Sequence, residues 1–179
     1  SDFDALRREP DVELRFIDRP SGDALPDCLI LPGSKSTIAD LQAIRERGME
    51  TYVRRCVEAG TEVVGICGGF QMLGQAIRDP EHVEAHVSEA AGLGWLPTVT
   101  VFHRDKLTTQ ARGVHLESRL PVEGYEIHCG RMSPAPEAEP VVKIIERGGV
   151  PAEELDGAQA RNGRVWGTHL HGLFDAAAF

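Results

Sequence analysis

The residues best suited to chemistry lie in TEVVGICGGFQMLG, Thr61 to Gly74, where Cys67 is bracketed by Gly65, Gly68 and Gly69. Apolar residues precede the cysteine and an amphipathic run follows it, so it falls where a strand turns into a helix. Gly65-Ile66-Cys67-Gly68-Gly69 has the G-x-C-x-G form of a nucleophile elbow. In that turn the nucleophile sits in a strained conformation, and glycines flank it because side chains there would strike backbone. The turn lifts the thiol into the crevice at the carboxyl ends of the strands, and a helix N-terminus favours thiolate over thiol. The N–H of Gly68 is then placed to bind an oxyanion. A thiolate nucleophile needs a proton carrier, and GTHLHGLFD, Gly167–Asp175, offers His169 and His171. If that stretch is extended, both point to one face, and spacing does not choose between them. The two histidines with Cys67 match no recognisable zinc spacing, and no metal is expected. The bland alternatives are a glycine-rich turn with an idle thiol and a histidine satisfied in the core. Their coincidence in one chain favours chemistry.

Around these residues the chain reads as alternating strands and helices. A short helical piece, SDFDALRRE, leads into a strand at VELRFID, Val12–Asp18. Cys28–Leu31 is a short apolar strand broken by Pro32 and Gly33. Ser36 or Thr37 can cap the helix TIADLQAIRERG, which Gly48 would end. ETYVRRCVEAG reads as a helix closed by Gly60, TEVVGI as a strand, and GFQMLGQAIRD as a helix. This order predicts an α/β fold: one domain with a mainly parallel sheet covered by helices on both sides. After about residue 92 the texture becomes β-rich, with WLPTVTVFH, LTTQARGVHLES, EGYEIHCG and VVKIIERGG predicting an antiparallel β extension.

The 179 residues, 41% of them hydrophobic, suit one domain with a sizeable core. A formal charge of −9 argues against nucleic acid, whose binding modules present basic faces. No run approaches the roughly 18 apolar residues needed to cross a bilayer, so no membrane partner is expected. Cys28, Cys56, Cys67 and Cys129 form no CxxC pair and read as reduced thiols, which predicts a cytoplasmic location. With Ser1 first, the chain is expected to be a piece of a longer polypeptide.

At Gly65, Cys67, Gly69 and Gln71 the sequence resembles class I (triad) glutamine amidotransferases, whose elbow reads G-x-C-x-G-x-Q. LPGSKST (Leu31–Thr37), GYEIHCGR (Gly124–Arg131) and GTHLHGLFD narrow the resemblance to the glutaminase domain of cobyric acid synthases. The resemblance covers nearly the whole chain in the expected order, and implies a flavodoxin-like glutaminase domain over residues 1–179, C-terminal in its polypeptide. It implies Cys67 as nucleophile and His171 as catalytic histidine, with His169 standing where a tyrosine is expected. It further implies oxyanion donors at Gly33 and Gly68, and substrate contacts from Gln71 and Ser34. His128 either lines the pocket or is an ordinary strand residue. L-glutamine would be the substrate and no cofactor would bind this domain. An ATP- and Mg-dependent synthetase domain of the same polypeptide would bind the corrinoid. The isolated domain is expected to have weak or unregulated glutaminase activity.

One departure stands out. The wider class carries His-x-Glu, yet Leu173 stands two residues after His171. Glu126, Asp175 and a backbone carbonyl all remain open as the group that orients the histidine. LPGSKST is no phosphate loop, because Ser34 rather than glycine precedes Lys35. The competing functions are a glutaminase subunit for another partner such as lipid II, a cysteine peptidase-like or chaperone-like protein, and a non-catalytic interaction module.

Overall fold

The computed structural model describes every residue except Ser1, Ser21, Asp23, Ala177 and Ala178, and every described side chain except that of Lys106. Its central sheet begins with β1 (Cys28–Leu31), which runs parallel to β2 (Glu62–Ile66). The sheet continues through β10 (Val165–Thr168), also parallel to β2, and ends on β9 (Ala158–Ala160), antiparallel to β10. Between β1 and β2 the chain forms α1 (Thr37–Glu46) and α2 (Met49–Ala59); α3 (Gly68–Leu73) follows β2 at once.

Alternation along the strands assigns each face of this sheet to a different cover. Leu29, Leu31, Val63 and Val165 join Leu41, Tyr52, Val53, Cys56 and Phe70 from the helices in one core cluster. Val64, Ile66 and Trp166 point the other way, into a second cluster with Ala111, Val122, Val142, Ile144 and Leu170. Helices therefore pack on one face, and antiparallel β structure takes the opposite face, where a second helical layer was expected. This second sheet is built on two long strands, β5 (Thr98–His115) and β6 (Pro121–Pro134), paired antiparallel. It is extended by β7 (Val142–Arg147) and β8 (Val150–Asp156), by β3 (Ala76–Arg78) and β4 (Glu89–Ala91), and by β11 (Leu170–His171) against β6.

Other expectations are corrected by the tertiary structure. Val12–Asp18 forms no strand; its alternation finds no ladder partner, and Phe16 is left largely exposed. The leading helical piece is a single 3-10 turn, Leu6–Arg8, and Ser1 lies outside the described residues. The helix expected over Gly69–Asp79 stops at Leu73, because Gln75 N–H donates to the Thr98 carbonyl and Ala76–Arg78 pairs with β4 and β5. Pairing with two neighbours outweighs the weak local preference for helix. The first turn of α1 is capped neither by Ser36 nor by the Thr37 side chain. A remote carboxylate, Glu84, accepts the Thr37 N–H at 2.7 Å. Gly48 and Gly60 do take left-handed conformations at the helix ends, as read from the sequence.

Candidate active site

Cys67 occupies the junction of β2 and α3 with φ 50° and ψ −107°, a conformation that costs a side-chain-bearing residue on the order of 1–3 kcal/mol. Its neighbours explain how the turn is held. A Cβ on Gly65 would lie 2.6 Å from the Phe70 backbone, and one on Gly69 would lie 2.0 Å from the Leu31 carbonyl oxygen. The first helical turn therefore presses directly on β1 and β2, which only glycine allows. A second loop comes to the same point from β1: a Cβ on Gly68 would sit 2.8 Å from Ser34 N. Gly68 heads α3, so its N–H has no partner within the helix. The Gly33–Ser34 loop therefore comes against the elbow at Gly68.

His171 reaches this point on β11. A Cβ on Gly33 would fall 2.5 Å from His171 Cε1, so the imidazole lies flush against the Gly33 loop. The Cys67 thiol donates to the Ile127 carbonyl oxygen at 3.4 Å and lies close enough to His171 to act on its charge. The Tyr125 ring stacks on the imidazole, nearly parallel with centroids 5.0 Å apart. On its far side, His171 Nδ1 lies 2.8 Å from Asp2 Oδ2. Burial works against a charged imidazole here. The hydrogen bond to Asp2 and the nearness of Cys67, with the charges of both, outweigh it and hold the His171 pKa up at about 9. Asp2 is correspondingly pushed down, chiefly by its hydrogen bond to His171.

The partner of the histidine is therefore none of the acids marked in the sequence. Both Glu126 carboxylate oxygens are taken by Arg147, at 2.6 and 3.1 Å. Asp175 stands beside Gly172, one step along the chain. Asp2 is 169 positions from His171, and no local pattern marks it. The departure at position 173 was the one available signal, because it required an acid from elsewhere.

His169 and His171 do not converge. Buried His169 directs Nδ1 to Asp156 at 2.8 Å, and its ring stacks on His128 with centroids 4.3 Å apart. Asp156 also accepts the His169 N–H and the Thr168 hydroxyl. Burial alone would raise the Asp156 pKa, but the His169 charge and these hydrogen bonds hold it at about 2. His169 thus fixes the path of the chain just before His171, and a metal site from both histidines with Cys67 has no geometric support. Among the described residues no group of three or more candidate metal ligands occurs.

The remaining residues singled out by the sequence are placed as follows. Gln71 is buried on α3. Its Oε1 lies 3.4 Å from the Thr37 hydroxyl, and its Nε2 has no hydrogen-bond partner, leaving a donor free for a ligand. The Ser34 hydroxyl donates to Asp40 and accepts the Ser36 N–H, while the Ser34 N and Cβ lie against Gly68 of the elbow. His128 directs Nδ1 to the Gly130 carbonyl, and burial and the neighbouring His169 push its pKa down to about 4.

Comparison with known proteins agrees with this architecture. The description of a CobB/CobQ-like glutamine amidotransferase domain matches residues 1–179. A protein named cobyric acid synthase from Moorella thermoacetica is 48% identical over 183 residues, covering 98% of this chain and 35% of that protein. One of the same name from Streptococcus sanguinis is 48% identical over 177 residues, again covering 98% and 35%. The chain thus spans about a third of the length of these relatives. Among solved structures, one described as a glutamine amidotransferase superimposes with a TM-score of 0.67 at 19% identity, covering 98% of this chain and 86% of that one. The structure of PurLQS from Thermotoga maritima gives 0.68 at 18% identity, covering 94% and 79%. At those identities the likeness speaks for the fold alone.

Proposed function

Since this chain belongs to the family of CobB/CobQ-like glutamine amidotransferase domains, we propose that it hydrolyses glutamine through a thioester on Cys67 and delivers the ammonia to an amidating synthetase. The observation that carries this reading is the contact of an elbow thiol with an imidazole whose pKa is held at about 9, so that imidazolium faces sulfur at neutral pH. The Cys67 thiolate adds to the carboxamide carbon of glutamine, forming a C–S bond and moving the carbonyl electrons onto oxygen. Backbone N–H groups of Gly68 and of the Gly33 loop hold that oxyanion; one such donor is worth roughly 3–4 kcal/mol of barrier. His171 gives its proton to the departing nitrogen as the C–N bond breaks, and ammonia leaves. Neutral His171 then takes a proton from water as the water attacks the thioester, releasing glutamate and regenerating thiolate and imidazolium. The free Gln71 amide donor would hold the substrate in the pocket.

By analogy with the relatives' name, the ammonia would serve ATP-dependent amidation of adenosylcobyrinic acid a,c-diamide to cobyric acid in cobalamin biosynthesis. ATP, Mg²⁺ and the corrinoid would bind a synthetase part outside this chain, which spans about a third of the length of its relatives. Incubation with amide-¹⁵N glutamine tests the proposal. Labelled ammonia should be released by the wild type, with turnover lost in Cys67→Ala. Absence of turnover in the intact protein, or full turnover in the variant, would remove the reading.

A further inference from the structure

Building on the glutaminase reading, we propose that Asp2 is the acid that completes a Cys67–His171–Asp2 triad. It acts as a positioning residue brought to the site by the segment at the start of the sequence.

The geometry is that of a fixed orienting carboxylate. Asp2 Oδ2 meets His171 Nδ1 at 2.8 Å, while Oδ1 accepts the Gly172 N–H at 3.3 Å and the Tyr125 hydroxyl at 3.4 Å. Both oxygens are thus engaged, and the side chains of Asp2 and His171 are only 13% and 14% exposed. With Nδ1 committed to Asp2, Nε2 is the ring nitrogen left available to the thiol, the arrangement that a proton carrier needs. The ring faces are fixed as well, by Tyr125 on one side and the Gly33 loop at the Cε1 edge. The ionisable groups around His171 are Asp2 from the leading segment, Cys67 from the elbow and Tyr125 from β6. Asp175 stands beside Gly172 and acts on Tyr125.

The fold also explains why the acid does not come from position 173. Leu173 is fully buried and packs in the second core cluster with Val64, Ile66 and Leu170. A carboxylate there would be desolvated among hydrocarbon, at a cost of several kcal/mol. The acid is supplied instead by a hook. Phe3 packs against the second core cluster and edge-on to Phe16, with ring centroids 5.9 Å apart, and the Arg7 guanidinium lies 5.3 Å from the centre of that same ring. The Arg7 N–H donates to the Phe3 carbonyl. Competence of His171 therefore depends on docking of this leading segment.

The test compares Asp2→Asn, Asp2→Glu and Phe3→Ala in the intact protein. Asp2→Asn should lower kcat about 10²-fold with KM for glutamine within about twofold. The loss is smaller than the roughly 10⁴-fold drop for Asp-to-Asn in a serine triad, because a thiolate needs less assistance. The alkaline limb of the kcat/KM profile should move from near pH 9 toward the ordinary histidine range, and Asp2→Glu should recover at least about tenfold over Asn. Phe3→Ala should reproduce the shifted limb in part. A kcat and alkaline limb unchanged in Asp2→Asn, or a loss expressed only in KM, would overturn the assignment. If the wild type itself lacks turnover, the glutaminase reading fails separately. The His171 titration, followed by imidazole ¹⁵N resonances, then still decides: a midpoint equal in wild type and Asp2→Asn rules the triad out.

Discussion

At Cys67 the backbone takes a conformation that side-chain-bearing residues rarely adopt, and the glycines around it mark where neighbouring backbone leaves no space. These requirements arise within five consecutive residues, which is why the elbow was legible in the sequence. Gly33 is a sharper case, since what crowds it is the His171 ring. Gly33→Ala should push the imidazole out of line by several tenths of an ångström or more. Misplacement on the scale of 1 Å can cost about 10²-fold in rate, so kcat is expected to fall at least about tenfold while the melting temperature changes little. Steady-state kinetics beside a thermal melt check this, and unaltered kcat would mean that the loop yields without cost. Asp2 lies at the other extreme of legibility. Nothing about an aspartate near the start of the chain distinguishes it until the fold sets it against His171.

Between residue and fold, the segment from β10 to β11 does the positioning. Asp156, at the end of β8, gathers the Thr168 hydroxyl, the His169 N–H and His169 Nδ1 on one carboxylate. The Thr168 oxygen then accepts the Leu170 N–H. A buried acid thus fixes the turn two residues before the His171 imidazole. Its removal leaves the Thr168 hydroxyl, the His169 N–H and His169 Nδ1 without their buried partner, and with each orphaned group costing about 1–3 kcal/mol the loss comes to roughly 3 kcal/mol or more. Asp156→Ala should accordingly lose about that much stability in urea unfolding, and glutaminase activity with it. A loss below about 1 kcal/mol would show that the clamp is dispensable. The HxH spacing was visible in the sequence, but the separate fates of the two histidines were not. Asp156 lies 13 positions before His169, whereas Asp2 lies 169 before His171.

For the whole molecule, the same contacts set a pH dependence. The His171 pKa is held at about 9, above its unfolded value near 6.5, so its contribution to stability is complete below about pH 6.5 and is lost as pH rises through 9. Asp156 is held at about 2, so its contribution is present above its ordinary value near 3.8 and disappears as pH falls through 2. Stability should therefore decline by up to a few kcal/mol between pH 6.5 and 9, and Asp2→Asn should flatten that decline. Urea midpoints measured from pH 5 to 10 test this. A wild-type curve that rises over the window would contradict the charged Asp2–His171 contact.

The sequence by itself determined the parallel strands, the helices α1 and α2, the elbow with its glycines and, through family resemblance, His171 as the histidine set beside it. These depend on periodicity, end signals and motifs that lie close along the chain. The tertiary structure alone decided that antiparallel strands rather than helices cover the second face, that Ala76–Arg78 is strand, and that Val12–Asp18 is not. It alone decided that the histidine leans on Asp2. Each of those outcomes turns on a partner distant in sequence, and hydrogen-bond partners and buried neighbours are chosen by which surfaces the folded chain brings together.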